Sequence, residues 1–317
     1  MKGHAVAGPS LALIKYWGKK STTENTPATG SLAVTLAGLE SRTEASFDDR
    51  DSVVVDGEDQ PPARFAPFLD SLRQALELGN QGIAIVSQNN FPTAAGLASS
   101  SSGFAALAGA VAALAGASLP AARLSALARL GSGSATRSIY GGFTVFDAGA
   151  EAAVPERDEG FWPDFRVLLC VVREGAKATS SRRAMESSRT TSPYYDRWVE
   201  SSPALLTLAR RAVADRSWNA LGPLVRQSYL RMFGTMFSAE PPLLYWKPES
   251  LALIGALEDL RHEGLTAWET MDAGPQVKVF CPAGQADTLV SELDRRVPGL
   301  RFLTAAPGPG LRTWRTE

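Results

Sequence analysis

The chain has 317 residues, of which 44% are hydrophobic, 8% aromatic and 21% charged; at about 100–200 residues per domain, this length predicts two domains with cores of their own. Lys plus Arg number 32 against 33 for Asp plus Glu, a net charge of −1, which excludes a generally basic nucleic-acid binder and an acidic disordered chain. Cys170 and Cys281 are the only cysteines, which excludes a disulfide framework and a Cys-based zinc site, and His4 and His262 are the only histidines, which starves a His-rich metal site or a Ser-His-Asp triad. Proton chemistry therefore falls to Asp, Glu, Lys or Tyr. Met1-Lys2-Gly3-His4 leads into no apolar run of signal-peptide length, and no stretch reaches the ~20 apolar residues of a membrane span. The expectation is a soluble cytoplasmic protein without membrane or nucleic-acid partners.

In chain order, residues 31–36 and 82–86 are apolar runs bounded by turn residues and predict strands. Between them, Phe65, Phe68, Leu69, Leu72 and Leu76 fall on one face of a helix over 64–78. Phe104, Leu107, Val111 and Leu114 repeat at helical spacing in an Ala-rich run, which opens after the serines at 99–102 and stops near Gly116. Residues 147–164 hold six acidic residues and two prolines without periodicity, which predicts a loop before a strand at 165–172. Three helices follow at 203–215, 218–232 and 248–262, the last with Pro248 in its first turn and Gly264 as its stop. Strands at 265–270 and 277–281, a helix at 286–297 and a strand at 300–304 complete the order of a split βαβ, ferredoxin-like layer. The domain boundary is expected near 173–185, giving domains at 1–175 and 176–317.

Five segments carry chemistry. In Asn90-Phe91-Pro92-Thr93-Ala94-Ala95-Gly96-Leu97-Ala98-Ser99-Ser100-Ser101-Ser102-Gly103, a small-residue loop runs into a helix start. Its free N–H groups and hydroxyls suit an anion and Mg²⁺, or simply cap the helix. Leu130-Gly131-Ser132-Gly133-Ser134-Ala135-Thr136-Arg137-Ser138 lacks the third glycine of a dinucleotide fingerprint. It offers hydroxyls and one guanidinium fork for a carboxylate or phosphate, or is a loop with a surface arginine. Lys15-Tyr16-Trp17-Gly18-Lys19-Lys20 has three lysines in six residues, able to gather phosphates or to snorkel from a strand end. Thr179-Ser180-Ser181-Arg182-Arg183 is a hydroxyl-plus-arginine cluster or a solvated loop. Met271-Asp272-Ala273-Gly274-Pro275 puts an acid before a tight turn, either as an Asx-turn residue or, among cations, as a carboxylate kept ionised. Together they describe a polyanion site with one acid in it.

These motifs, in this order from about residue 8 to 281, resemble the diphosphomevalonate decarboxylase family of the GHMP small-molecule kinase superfamily. The resemblance carries with it an α+β, two-domain GHMP fold, with a ribosomal-S5-like N-terminal domain, a ferredoxin-like C-terminal domain and the active site between them. It implies ATP- and Mg²⁺-dependent decarboxylation of mevalonate 5-diphosphate to isopentenyl diphosphate, a homodimer, and a set of site residues. Gly96, Ala98, Ser99, Ser100 and Ser101 fall in the ATP loop, with Ser100 at the metal. Arg137 and Ser134 take carboxylate and phosphate oxygens, while Tyr16 and Lys19 take the distal phosphates. Lys15 lies beside the reacting hydroxyl, Ser181 and Arg182 close over the substrate, and Asp272 is the acid at the 3-hydroxyl. Arg64 is a further phosphate-ligand candidate.

Gln276 stands where the family commonly has Asn, and Met232-Phe233-Gly234 where it usually has Met-His-Ala, which leaves substrate detail open. Three other readings remain: a decarboxylase of mevalonate 5-phosphate, a 3-kinase that does not decarboxylate, and a binding protein on the same fold.

Overall fold

A computed structural model describes residues 1–21, 24–91, 99–173 and 179–317. The N-terminal half runs β1 (Lys2–Ala7), β2 (Ser10–Ile14), β3 (Lys19–Ser21), β4 (Thr26–Pro27), β5 (Ser31–Thr35), β6 (Ser41–Asp48), β7 (Ser52–Val55), β8 (Glu58–Asp59), α1 (Pro62–Leu76), β9 (Gly82–Asn89), α2 (Ser99–Leu114) and α3 (Ala121–Gly131). A 3-10 helix (Gly133–Ile139) then leads to β10 (Phe143–Phe146), β11 (Val154–Arg157) and β12 (Phe165–Val171). The rest is α4 (Ser181–Thr191), α5 (Tyr195–Ala214), α6 (Trp218–Phe237), α7 (Pro248–His262), β13 (Trp268–Met271), β14 (Val277–Pro282), α8 (Ala286–Arg296), β15 (Arg301–Ala305) and β16 (Arg312–Thr316).

Local chemistry accounts for most of these elements. Pro62 opens α1, where its missing N–H costs nothing, and the helix buries Phe65, Phe68, Leu69 and Leu72 before Glu77 turns left-handed at φ 56°. The Ala-rich α2 is buried nearly all round, because its small side chains let β1 lie almost on it. Gly3 is the closest point: a Cβ there would sit 2.1 Å from the Ala110 carbonyl oxygen. Ser180 caps α4 by accepting from the Arg183 N–H, so the segment at 179–183 is a helix start rather than a solvated loop. Helix α5 begins at Tyr195, not at Pro203, because Tyr195 and Trp198 bury ahead of the proline. Helix α6 outruns its expected end at 232 because Phe233 and Met236 are buried as well.

The strands β13-β14-β12-β15 pair antiparallel in that order, the expected split βαβ layer. The N-terminal half holds two sheets, β16-β1-β6-β9-β7-β8 and β11-β10-β5-β2. Strand β11 lies inside the stretch expected to be a loop. The sheets do not divide at 175: β12 belongs to the second domain's sheet, and β16 returns to pair with β1 of the first. A core cluster shared by both halves joins Leu13, Leu32, Val34 and Phe143 to Phe165, Val167, Leu221, Val225 and Phe280, so the two domains meet over apolar contact. The site lies at the edge of that seam. Among the described residues, no helix is long and apolar enough to cross a membrane.

Candidate active site

Lys15 follows the last residue of β2, where the chain leaves the sheet and its backbone N–H donates to Ser228 Oγ of α6. Its ammonium is 1% exposed and donates to the Ala12 carbonyl at 2.7 Å and to Asp272 Oδ1 at 2.8 Å. Asp272 follows β13, and its other oxygen, Oδ2, accepts from Lys278 Nζ of β14 at 3.0 Å. Thr270 pairs with Lys278 across the sheet, and side chains alternate faces, so Asp272, two residues on, shares a face with Lys278. Burial alone would raise the Asp272 pKa; the two ammonium groups outweigh it and hold the carboxyl well below the usual carboxylate range. Burial pushes Lys15 down to about 8 against the pull of Asp272, with Lys278 and Arg137 adding to the fall.

Arg137 lies in the 3-10 helix and is 2% exposed, so the reading of Gly131–Ser138 as a loop with a surface arginine does not hold. Its Nε donates to Ser10 Oγ at 3.3 Å and one terminal nitrogen to Ser31 Oγ at 2.7 Å. Both partners are neutral. Burial lowers its pKa to about 10, and Asp272 and Tyr16 raise it in part. The seam thus buries Lys15, Lys278 and Arg137 with Asp272 as their carboxylate, an excess of positive charge that an incoming anion neutralises.

The serine helix joins this group through Ser10. Ser101 Oγ, fully buried, accepts the Ser10 N–H at 3.0 Å, which ties α2 to β2. Ser102 likewise bonds Ser41. Ser99 and Ser100, half-buried and exposed, are left at the helix start, while Gly96 and Ala98 lie outside the described residues.

A second, outer group surrounds Tyr16 and Lys19. The Tyr16 hydroxyl is buried with no partner among the described residues, and burial pushes its pKa up while Arg137, Arg182 and Arg129 pull it down. A Cβ at Gly133 would lie 2.5 Å from the Tyr16 Oη, so only glycine lets this loop cradle the ring. Lys19 is lowered to about 8 by burial and then by Arg182, with Glu186 opposing. Arg182 reaches the Gly131 carbonyl at 3.5 Å, Ser134 bonds Ser132, and Ser181 is half-buried at the start of α4. Among the described residues, no contact brings Arg64 to either group; it bonds Gln60 and covers Phe65.

Comparison with known proteins matches the same two halves. A model described as the diphosphomevalonate decarboxylase-like N-terminal domain covers residues 7–157, and one described as the mevalonate 5-diphosphate decarboxylase C-terminal domain covers 167–305. The diphosphomevalonate decarboxylase of Gibberella zeae is 34% identical over 94% of this chain and 86% of its own length. The chain belongs to the diphosphomevalonate decarboxylase family. Among solved structures, MDDEF in complex with MVAPP, AMPPCP and magnesium superposes with a TM-score of 0.93 at 35% identity, covering 100% of this chain and 99% of that one. The mevalonate diphosphate decarboxylase from Staphylococcus aureus gives a TM-score of 0.91 at 32% identity, covering 99% and 98%. The two-domain GHMP fold expected from the motifs is therefore the fold of this chain.

Both departures from the decarboxylase pattern lie in packing. Gln276 is fully buried, accepts the Val172 and Arg173 N–H groups and donates to the Arg173 carbonyl, so it staples the end of β12. Phe233 packs among Tyr229, Phe237 and Trp246. Sequence reasoning missed Lys278, although a lysine inside Val277-Lys278-Val279-Phe280-Cys281 was a signal: a buried cation needs a partner.

Proposed function

We propose that this protein catalyses the ATP-dependent decarboxylation of mevalonate 5-diphosphate to isopentenyl diphosphate. One observation carries the proposal: at the seam, three buried cations face a single ionised carboxylate, with hydroxyls and further cations leading outward. A substrate with a carboxylate at one end and phosphates at the other matches that distribution of charge.

ATP supplies the phosphoryl group that turns the tertiary 3-hydroxyl into a leaving group, and Mg²⁺ neutralises charge between its phosphates. Ser99 and Ser100, at the N-terminal end of α2, would hold these phosphates and the ion with hydroxyl and backbone N–H groups. The hydroxyl oxygens of Ser99 and Ser100 are donors of the kind a hard cation takes, beside the phosphate oxygens that would carry it.

Arg137 grips the C1 carboxylate with the fork left over from Ser10 and Ser31, and Ser134 assists. Lys15 turns its remaining N–H towards the 3-oxygen. Tyr16 and Lys19 take the distal phosphates, and Ser181 and Arg182 close over them. As the C3–O bond breaks, phosphate leaves with the electron pair and C3 becomes electron-poor; the C1–C2 pair then forms the alkene and CO₂ departs. Asp272, ionised and held from both sides, orients the hydroxyl and accepts its proton only as phosphoryl transfer makes it acidic; it passes that proton to water and, ionised again, stabilises the developing positive charge at C3. The 5-monophosphate alternative differs only in the outer group, where Lys19 and Arg182 answer to a longer anion.

Supplying purified protein with ATP and either mevalonate 5-diphosphate or mevalonate 5-phosphate, then identifying product, tests the proposal. The expected result is isopentenyl diphosphate and CO₂ from the diphosphate. Turnover of the monophosphate alone, or ADP without CO₂, contradicts it. A cytoplasmic location and a homodimer complete the proposal by family likeness, and sedimentation of the purified protein tests the latter.

A further inference from the structure

We infer that Lys278 is a positioning residue of this reaction: by holding Oδ2 of Asp272 from the C-terminal sheet while Lys15 holds Oδ1 from the N-terminal one, it fixes the carboxylate across the seam and keeps it ionised when the substrate's negative charge arrives. The inference rests on the decarboxylase reading above.

The geometry is asymmetric in a useful way. Lys15 follows β2 and has an N–H left for the substrate, whereas Lys278 sits within β14, paired across to Leu169 of β12 and Thr270 of β13. A carboxylate held by Lys15 alone could rotate about its Cβ–Cγ bond and follow the ammonium towards the substrate. With its second oxygen pinned to a strand interior it cannot. The second ammonium also answers a charge problem. A diphosphate, a carboxylate and ATP all bring negative charge, which favours protonation of a neighbouring carboxyl; a second cation 3.0 Å away opposes that. The charged and titratable groups around Asp272 are Lys15 at the end of β2, Tyr16 beside it, Arg137 on the 3-10 helix, Lys278 on β14 and, behind Lys278, Cys170 of β12. Burial raises the Cys170 thiol to about 12, so it stays neutral over the working range.

The test is a double-mutant cycle on the full-length protein with ATP, Mg²⁺ and mevalonate 5-diphosphate, comparing wild type, Lys278→Met, Asp272→Asn and the double variant. Lys278→Met is expected to lower kcat at least about tenfold with the KM for ATP little changed, because the carboxylate is displaced while the nucleotide site is untouched. In the Asp272→Asn background, where there is no carboxylate to hold, the same change is expected to cost nothing further. A wild-type kcat in Lys278→Met, or an equal loss in both backgrounds, overturns the inference. If Lys278→Met alone fails to fold while the double variant folds, the coupling is seen directly and supports it; if both fail, the lysine is structural and the inference falls. A wild-type protein that does not turn over mevalonate 5-diphosphate instead removes the proposed function.

Discussion

Two acids three positions apart, Glu269 on β13 and Asp272 just past its end, live in opposite electrostatic regimes. Glu269 is fully buried and saturated: Tyr229 Oη donates to it at 3.0 Å, Arg226 Nε reaches it at 3.0 Å and Arg261 at 2.7 Å, while Arg226 also pairs with Glu258. Every partner comes from α6 or α7, so the cluster closes within the C-terminal half. The Asp272 side chain is 25% exposed, its partners come from both halves of the molecule, and Arg137 beside it is bonded, among the described residues, by hydroxyls. A buried charge whose partners balance it holds a fold together; one left with excess cations around it waits for a ligand.

The contrast breaks most sharply at Asp272. Asp272→Asn is expected to lower kcat by about 10²–10⁴ with little effect on ATP binding, in steady-state assays. A near-normal rate would make the two acids alike and both structural. Arg137→Lys keeps the charge but loses the fork, and a fall of roughly 10² is expected, since a misplaced carboxylate no longer aligns its C–C bond with C3. Wild-type turnover there would refute the carboxylate role.

On the other side of the comparison, Glu269→Gln is expected to cost about 1–3 kcal/mol of stability in denaturant unfolding, because the partly exposed Arg226 and Arg261 lose a charge-assisted partner that is itself fully buried. The folded variant should keep its kcat.

Lys15 sharpens the picture through pH. Its conjugate acid has a pKa lowered to about 8, so the ammonium of the free enzyme is lost as pH rises through that value, and kcat/KM should fall with it. Lys19 is lowered to about the same point, so Lys15→Arg and Lys19→Arg are compared; only the first should carry the limb upward without changing the preference for a diphosphate. The smallest effect is expected at Ser101→Ala, which strands the buried Ser10 N–H and costs about 1–3 kcal/mol in a melting curve while kcat stays near wild type. A large loss of ATP affinity would return Ser101 to the nucleotide loop.

The apolar pattern made the second half of the chain largely legible. Helix α7 lies at the expected 248–262 because Pro248 opens it and Gly264 follows its end, and the strand and helix order of the ferredoxin-like layer followed from periodicity alone. Strand β16 was invisible for the opposite reason: Arg312-Thr313-Trp314-Arg315-Thr316 is exposed along its whole length, so no alternation marks it, and its pairing with β1 spans the full chain. Helix α4 is polar except for Ala184 and Met185, held by a serine cap and the burial of those two, and reads as loop in sequence. Of the site, Lys15, Arg137 and Asp272 were legible as motifs, and the structure brings them together. Lys278 was not, because a lysine inside an apolar strand reveals its partner only once the register of β13 on β14 is known.

The most direct test follows the two bonds that the site is built to break. Mevalonate 5-diphosphate labelled at C1, incubated with ATP and the wild-type protein, should release one labelled CO₂ per ADP, and Asp272→Asn should lose both together. ADP formed without labelled CO₂, or an Asp272→Asn protein that still releases it at the wild-type rate, would contradict the account.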